Sequence, residues 1–199
     1  CREADLGSCY LRVGRYDESI RRFRHGIELG YESGIVYYEL AMAGQYAGLG
    51  KEASEYYEKA IKLGLQGDQM ESTAWYNMGL IQDGLGNKEL AKAFYANAGL
   101  VGDFVNDGAW WNLALTCLET GDKTGAADAL RCFLDASRDP ERRAQAERML
   151  ARMSKSAYKL GQLKMFIWRD DATGWRPPSK SANELINVYF DFPGVLKSA

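Results

Sequence analysis

The side chains best suited to catalysis are few in this sequence, and they form no catalytic pattern. His25 is the only histidine, and it lies in the basic run Arg21-Arg22-Phe23-Arg24-His25, which helical spacing places on a solvated face. A hydrolytic triad needs a base beside a nucleophile, and no such arrangement surrounds His25. Asp170 and Asp171 adjoin in a predicted loop, where nothing fixes the separation that a glycosidase requires. The sequence also lacks glycine-rich phosphate-binding motifs. We therefore expect no enzyme.

The cysteines do not indicate a metal or redox site. The sequence has four of them, at Cys1, Cys9, Cys117 and Cys132, and no CxxC pair. Cys1 and Cys9 are about 12 Å apart on a helix, too far for a disulfide. Cys117 and Cys132 lie on consecutive predicted helices and can approach, but the simplest interpretation is that they are small buried hydrophobes. We expect neither a metal nor a cofactor.

The overall composition is that of a globular protein. The chain has 199 residues, of which 46% are hydrophobic, and its 25 basic and 27 acidic side chains give a net charge of −2. This balance excludes a disordered or collagen-like chain. Nucleic-acid binding needs a basic surface and is not expected. No apolar run reaches the roughly 18 residues of a membrane-spanning helix.

The first residue, Cys1, allows two interpretations of the cellular compartment. The sequence begins at Cys1 without an initiator methionine, so it is processed or is a fragment. Cysteine usage favours a reducing, cytoplasmic compartment. The alternative is a periplasmic lipoprotein anchored through Cys1, although a helical pattern begins at once where a polar tether is usual.

A repeat of about 36 residues organises the first three quarters of the chain. Glycines at positions 14, 50, 86 and 121 are 36, 36 and 35 residues apart. Pairs of a large and a small residue keep the same spacing, at Leu6-Gly7, Met42-Ala43, Met78-Gly79 and Leu113-Ala114. Two landmarks that hold one register over four copies indicate a repeat protein.

Each repeat has the pattern of a helical hairpin. Apolar residues recur at i, i+3, i+4 and i+7, as Ile20, Phe23 and Ile27 do in the first copy. The glycine between the halves can end a helix in the left-handed conformation. The small residue of each pair is expected where the two helices cross. Because a lone hairpin cannot cover its apolar face, stacked copies are predicted to form an α-solenoid.

Three stretches carry a resemblance to a known family. Residues 74–79 (AWYNMG) and 109–114 (AWWNLA) resemble the first helix of a tetratricopeptide repeat, and residues 55–61 (EYYEKAI) resemble its second helix. The resemblance covers about residues 1–136. These copies run 35–36 residues where about 34 is usual, and glycines at 30 and 64 replace the family's junction proline. The longer units ending in Leu-Gly are similar to Sel1-like repeats, a close relative.

The resemblance implies an all-α, right-handed α-solenoid of about four helix-turn-helix repeats. The repeats are expected at residues 1–30, 35–64, 72–100 and 107–136. A capping helix is predicted at 139–153, because Asp139 can cap, Pro140 suits the first turn, and Ala146, Met149, Leu150 and Met153 form one apolar stripe. Such a polar-faced helix is what the end of a solenoid requires.

The C-terminal extension, residues 154–199, departs from the repeat pattern. It carries 7 basic and 4 acidic side chains, whereas residues 1–153 carry 18 and 23. We expect an irregular segment whose aromatic-rich part, from Leu185 to Phe192, is a short strand or an extended stretch. Its aromatic side chains either pack on the outside or end of the solenoid, or lie in a concave groove of this chain or of a neighbour. A homo-oligomer formed through this extension is a further alternative.

The resemblance further implies a concave groove lined by the first helix of each repeat. Carboxylate-gripping relatives place Lys and Arg there, whereas the equivalent positions of this chain are mostly apolar or aromatic and only Arg12 is basic. Acidic side chains are also expected on this face, at Asp83 and Glu119. The predicted peptide-binding residues are Tyr37, Leu40, Tyr76, Asn77, Leu80, Trp111, Asn112 and Leu115. Trp110 is expected in the core.

We therefore interpret the sequence as that of a non-enzymatic protein–protein interaction scaffold or adaptor. It is predicted to bind an apolar or aromatic peptide segment in the groove, with aromatic anchors supplying most of the affinity. The asparagine amides are expected to hold the main chain of the bound segment. The alternative is a structural subunit that the aromatic extension docks permanently in a larger assembly, with an envelope-associated assembly as one option.

Overall fold

The described residues of the chain are almost entirely helical. The computed structural model describes residues 2–102 and 106–153. Its helices are α1 (Arg2–Arg12), α2 (Tyr16–Glu28), α3 (Gly34–Tyr46), α4 (Gly50–Leu63), α5 (Asp68–Gly84), α6 (Lys88–Leu100), α7 (Asp107–Glu119), α8 (Lys123–Ala136) and α9 (Pro140–Met153). No strand occurs within these two ranges. Cys1 and the extension 154–199 lie outside them, so the expected strand, the tail-mediated oligomer and the lipid anchor are not addressed by the structure.

Each helix packs against its neighbour in the chain, in the order expected of a solenoid. The pairs α1–α2, α3–α4, α5–α6 and α7–α8 are hairpins, and each hairpin also packs on the next. The predicted all-α solenoid is confirmed. None of the helices in the described ranges is both long and apolar enough to cross a membrane.

Glycine allows the two helices of a hairpin to cross at close range. A Cβ atom on Gly7 would lie 2.8 Å from the Phe23 ring, and one on Gly79 would lie 2.5 Å from the Tyr95 ring. Both rings are fully buried. These contacts are closer than carbon atoms tolerate, so a larger residue would push the helices apart. The predicted role of the small residue is confirmed for these two hairpins.

The second repeat corrects the predicted register. Its turn glycine is Gly48, which has φ +80°, whereas Gly50 is the first residue of α4. In the other repeats the crossing residue precedes the turn glycine by seven positions, as Gly79 precedes Gly86. Seven residues before Gly48 lies Ala41, so the crossing residue of the second repeat is Ala41 and not the predicted Ala43. The sequence has glycines at both 48 and 50, and the equal 36-residue spacing favoured the wrong one.

Ring contacts between the helices support the corrected register. Tyr38 contacts Tyr57 with ring centroids 5.7 Å apart, and Tyr76 contacts Tyr95 at 5.9 Å. Both pairs are separated by 19 residues. Repeats two and three are therefore offset by 38 residues, two more than the sequence pattern suggested.

The helix predicted at residues 139–153 is present as α9, the last helix within the described ranges. Asp139 caps α9, because its Oδ1 accepts hydrogen bonds from the backbone of Glu141 at 2.9 Å and of Arg142 at 3.3 Å. Ala146 is buried, and the remaining apolar residues of the stripe are half-buried against α7 and α8. Arg143 donates to the backbone carbonyl of Ser137 at 2.8 Å, which ties the helix to the end of α8.

Candidate functional site

Helices α5 and α7 present the same kinds of side chain one repeat apart. Tyr76 and Leu80 on α5 correspond to Trp111 and Leu115 on α7, and an acidic residue follows on each helix, Asp83 and Glu119 respectively. We call these six residues the α5–α7 patch. Spacings of three and four residues place each set on one face of its helix.

The apolar part of the patch is open to solvent. Leu80 is 37% exposed and Leu115 is 36% exposed. Tyr76 and Trp111, one turn earlier on each helix, are half-buried. The patch therefore offers two accessible leucine side chains, each beside an aromatic ring that packing holds in place.

Trp111 is fixed by contacts on both sides. Its ring centroid lies 5.0 Å from that of Phe133 on α8, and the guanidinium carbon of Arg142 on α9 lies 5.0 Å from its centroid. This is the geometry of a cation–π contact. Trp110 is buried in the core, and a Cβ atom on Gly99 would lie only 2.4 Å from its ring.

The two predicted asparagines couple neighbouring repeats to each other. Asn112 Nδ2 donates a hydrogen bond to the Tyr76 hydroxyl at 3.1 Å, and Asn77 Nδ2 donates to the Tyr57 hydroxyl at 2.9 Å. The Tyr57 hydroxyl in turn donates to Gln45 Oε1 at 2.9 Å. Each amide therefore holds a tyrosine of the preceding repeat, a use the sequence did not suggest. Burial raises the pKa of Tyr57, so its hydroxyl stays protonated and can donate.

The end of the patch is acidic. Lys88 Nζ, at the start of α6, lies 2.7 Å from Asp83 Oδ1 and 2.6 Å from Glu119 Oε2. Both carboxylates raise the pKa of Lys88, with Asp83 the larger influence. One lysine against two carboxylates leaves a net negative charge. The C-termini of α5 and α7 lie at this same end beside the N-termini of α6 and α8, so the opposite ends of the helix dipoles offset one another there.

Two predicted binding residues belong to the core instead. Tyr37 is 3% exposed and Leu40 is 0% exposed. The register of the second repeat explains this, because the 38-residue offset matches them to Trp75 and Met78, which are buried. The Tyr37 hydroxyl donates to Glu32 at 2.6 Å, within an ion pair that Glu32 forms with Lys59. Tyr37 and Leu40 therefore offer no accessible surface.

Three contributors to this surface were not found from the sequence. Lys88 and Arg142 supply the positive charges beside the patch, and Tyr57 accepts a hydrogen bond from Asn77. A lysine at the start of the second helix, shortly after an acid that ends the first, was the available signal for Lys88. The roles of Arg142 and Tyr57 depend on contacts between repeats, which a single-repeat pattern does not encode.

The other candidate chemical groups are structural in the described ranges. His25 Nδ1 lies 3.4 Å from Glu3 Oε2, and Arg22 pairs with the same carboxylate at 3.1 Å, which joins α1 to α2. Burial raises the pKa of Cys117 to about 12 and that of Cys132 to about 11, so both stay protonated thiols. No group of three His, Cys, Asp or Glu side chains within these ranges is placed to hold a metal ion.

Comparison with known proteins identifies the repeat type. Residues 72–98 match the tetratricopeptide repeat family. Among solved structures the chain is similar to MamA, in one structure with 22% identity and TM-score 0.60, over 72% of this chain and 79% of that chain. A second MamA structure gives 18% identity and TM-score 0.62, over 76% and 78%. YrrB, described as a TPR protein with an unusual peptide-binding site, gives 20% identity and TM-score 0.58, over 71% of each chain. No curated protein sequence matches the chain.

Proposed function

The chain has the tetratricopeptide-repeat fold that its sequence predicts, and we propose that it binds an apolar or aromatic peptide segment on the α5–α7 patch. This fold supports a protein–protein interaction scaffold, and proteins of this repeat type are generally non-enzymatic. The accessible leucine pair, Leu80 and Leu115, carries the proposal. Exposed apolar side chains grouped on one face are a feature of interaction sites.

The flanking aromatic residues favour a specific contact over nonspecific hydrophobic association. Tyr76 is held by Asn112, and Trp111 is held between Phe133 and Arg142. Side chains already fixed in the free protein lose little conformational entropy on binding, so more of the contact energy becomes affinity. Tyrosine and tryptophan are also the residue types that dominate binding energy at interfaces.

The amides retain capacity for a bound main chain. Each asparagine donates from its side-chain NH2 group to tyrosine, and the carbonyl oxygen of the same amide can accept a further hydrogen bond. One additional hydrogen bond to a bound peptide would contribute about 1 kcal/mol net. Peptide binding by YrrB, a protein of similar fold, is consistent with this use.

The test is selection of a random peptide library against the full chain and against the double variant Leu80→Asp, Leu115→Asp. We expect that peptides enriched on the unchanged protein bind the variant at least about tenfold more weakly, since charging both contacts opposes apolar burial. Because both leucines are exposed, the fold should persist, and circular dichroism checks this.

The matched control is Leu29→Asp. Leu29 is also an exposed leucine, but it lies at the end of α2 in the first repeat, away from the patch. This variant should bind the selected peptides as the unchanged protein does. Equal loss of binding in the control, or no loss in the double variant, would reject the α5–α7 patch as the binding surface.

A further inference from the structure

We propose that the α5–α7 patch accepts a segment that is both basic and apolar, and that its occupant is residues 155–169 of this chain. The inference rests on the proposed function, since the same surface is used, and it adds regulation. A segment bound in cis would compete with any partner for the leucine pair.

The charge of the patch selects a basic partner. Lys88 neutralises only one of the two carboxylates at its acidic end, and the Glu119 side chain remains 58% exposed. A lysine or arginine placed here would meet the carboxylates of Asp83 and Glu119 together. A partner carboxylate at this end would be repelled.

The path of the chain brings the next residues to this acidic end. Helices α7 and α9 run in the same direction, because each is antiparallel to α8, and Arg142 near the start of α9 lies over Trp111 near the start of α7. Met153 comes 11 residues after Arg142, and Glu119 comes 8 residues after Trp111. At about 1.5 Å per helical residue, α9 ends roughly 4.5 Å beyond the level of Glu119. The described chain therefore ends near the level of the acidic end of the patch, measured along the helix axes.

The sequence that follows has the required chemistry. Residues 155–169 read KSAYKLGQLKMFIWR, with four basic side chains and no acidic one. Leucine, methionine, phenylalanine, isoleucine and tryptophan lie among the basic residues and can cover Leu80 and Leu115. The two parts of the chain also carry opposite net charges. Residues 1–153 have 23 acidic and 18 basic side chains, whereas residues 154–199 have 4 acidic and 7 basic side chains. A short tether holds such a segment at millimolar effective concentration, so weak contacts suffice.

Limited trypsin digestion of the full chain tests the inference. The cleavage rates after Lys159 and Lys164 are followed by mass spectrometry, with cleavage after Lys180 as the internal reference. A bound segment is protected, and its cleavage rate follows the fraction of time it is released. We expect the double variant Asp83→Asn, Glu119→Gln to raise both rates about five- to tenfold, since it removes two exposed charge contacts.

The control variant is Glu28→Gln, which neutralises an exposed acid on α2 far from the patch. It should leave the rates unchanged. Equal rates in all three proteins would overturn the inference. Protection that grows with protein concentration would assign the segment to the patch of a second copy, and would equally overturn binding in cis.

A second experiment separates this inference from the proposed function. Peptide selection is repeated on a full chain that carries Lys159→Glu, Lys164→Glu and Arg169→Glu, which should release the patch and strengthen binding. Leucine-dependent binding without any effect of Asp83→Asn, Glu119→Gln on cleavage would leave the proposed function standing and end the inference. Protection of the segment from trypsin, without leucine-dependent peptide binding even in the released chain, would support the inference and reject the proposed function.

Discussion

Asn112 donates a hydrogen bond of 3.1 Å from its amide to the hydroxyl of Tyr76, which lies 36 residues earlier on the facing helix of the preceding repeat. Asn77 also donates to a tyrosine of the repeat before it, at 2.9 Å, but that tyrosine is Tyr57 on the second helix of its repeat. The acceptor differs, because Tyr57 is fully buried and Tyr76 is half-buried. The same residue at the same position of two repeats therefore works in two environments.

We predict that Asn77→Ala destabilises the protein more than Asn112→Ala. Removing Asn77 takes a partner from a buried hydroxyl, which costs about 1–3 kcal/mol. Water can replace Asn112 at the half-exposed Tyr76, so its loss should cost about 0.5–1 kcal/mol. Urea unfolding of both variants measures the difference, and equal or reversed losses would show that burial of the acceptor is not the deciding factor.

Gly79→Ala should be strongly unfavourable, although alanine is the better helix former. Its methyl group would overlap the buried Tyr95 ring, and overpacking of this kind costs about 1–3 kcal/mol. Gly84 is the matched control on the same helix, because a Cβ atom there meets nothing within 4 Å. Gly84→Ala should stabilise by about 0.5–1 kcal/mol. Thermal unfolding reports both values, and a stabilising Gly79→Ala would contradict the close crossing.

The corrected turn of the second repeat predicts different responses at two glycines. Gly48 has φ +80°, so Gly48→Ala forces a side chain into the left-handed region at a cost of about 1–2 kcal/mol. Gly50 begins α4, and a Cβ atom there would be 3.4 Å from the Ile81 side chain, which is ordinary contact. Gly50→Ala should change stability by less than about 0.5 kcal/mol. A larger loss at Gly50 than at Gly48 in chemical denaturation would restore the original register.

Burial of Tyr57 should make stability depend on pH in the alkaline range. Its pKa is raised in the folded state, so folding is favoured while the unfolded tyrosine is also neutral, below about pH 10. As pH rises further, the unfolded chain loses this proton while the folded protein keeps it. Stability is then lost at up to about 1.4 kcal/mol per pH unit.

Tyr57→Phe should remove that part of the alkaline loss. Melting temperatures between pH 8 and 11 give the slope, and the control is Tyr31→Phe, because Tyr31 is exposed. The slope of Tyr57→Phe should be shallower than those of the unchanged protein and the control. Parallel slopes in all three proteins would mean that Tyr57 ionises in the folded state as easily as in the unfolded chain.

The repeat architecture could be predicted because it depends on local patterns. The i, i+3, i+4 spacing of apolar residues determines each helix face, and Asp139-Pro140 marks the start of α9, so helices and their order follow from short windows of sequence. The small residues at 7 and 79 are informative for the same reason. Whatever their surroundings, they must lie where two helices of one hairpin cross.

The composition of the candidate site could be predicted only in part. Tyr76 and Leu80 share one face of α5, and Trp111 and Leu115 share one face of α7, as their spacing implies, so these four stay predicted binding residues. Tyr37 and Leu40 do not, because a two-residue error in the second repeat rotates a helix by about 200° and exchanges its inner and outer faces. Glycines 48 and 50 are equivalent as turn signals in the sequence, and the structure distinguishes them by the positive φ of Gly48 and by the packing of Tyr57 against α3.

The sequence by itself determined the helices, the hairpins and their stacking, since periodicity and chain order carry that information. The tertiary structure alone decided which side chains of different repeats meet. Lys88 joins Asp83 to Glu119, and Arg142 covers Trp111, because the angle between stacked hairpins sets those distances. That angle arises from many side-chain contacts acting together, so no single repeat encodes it.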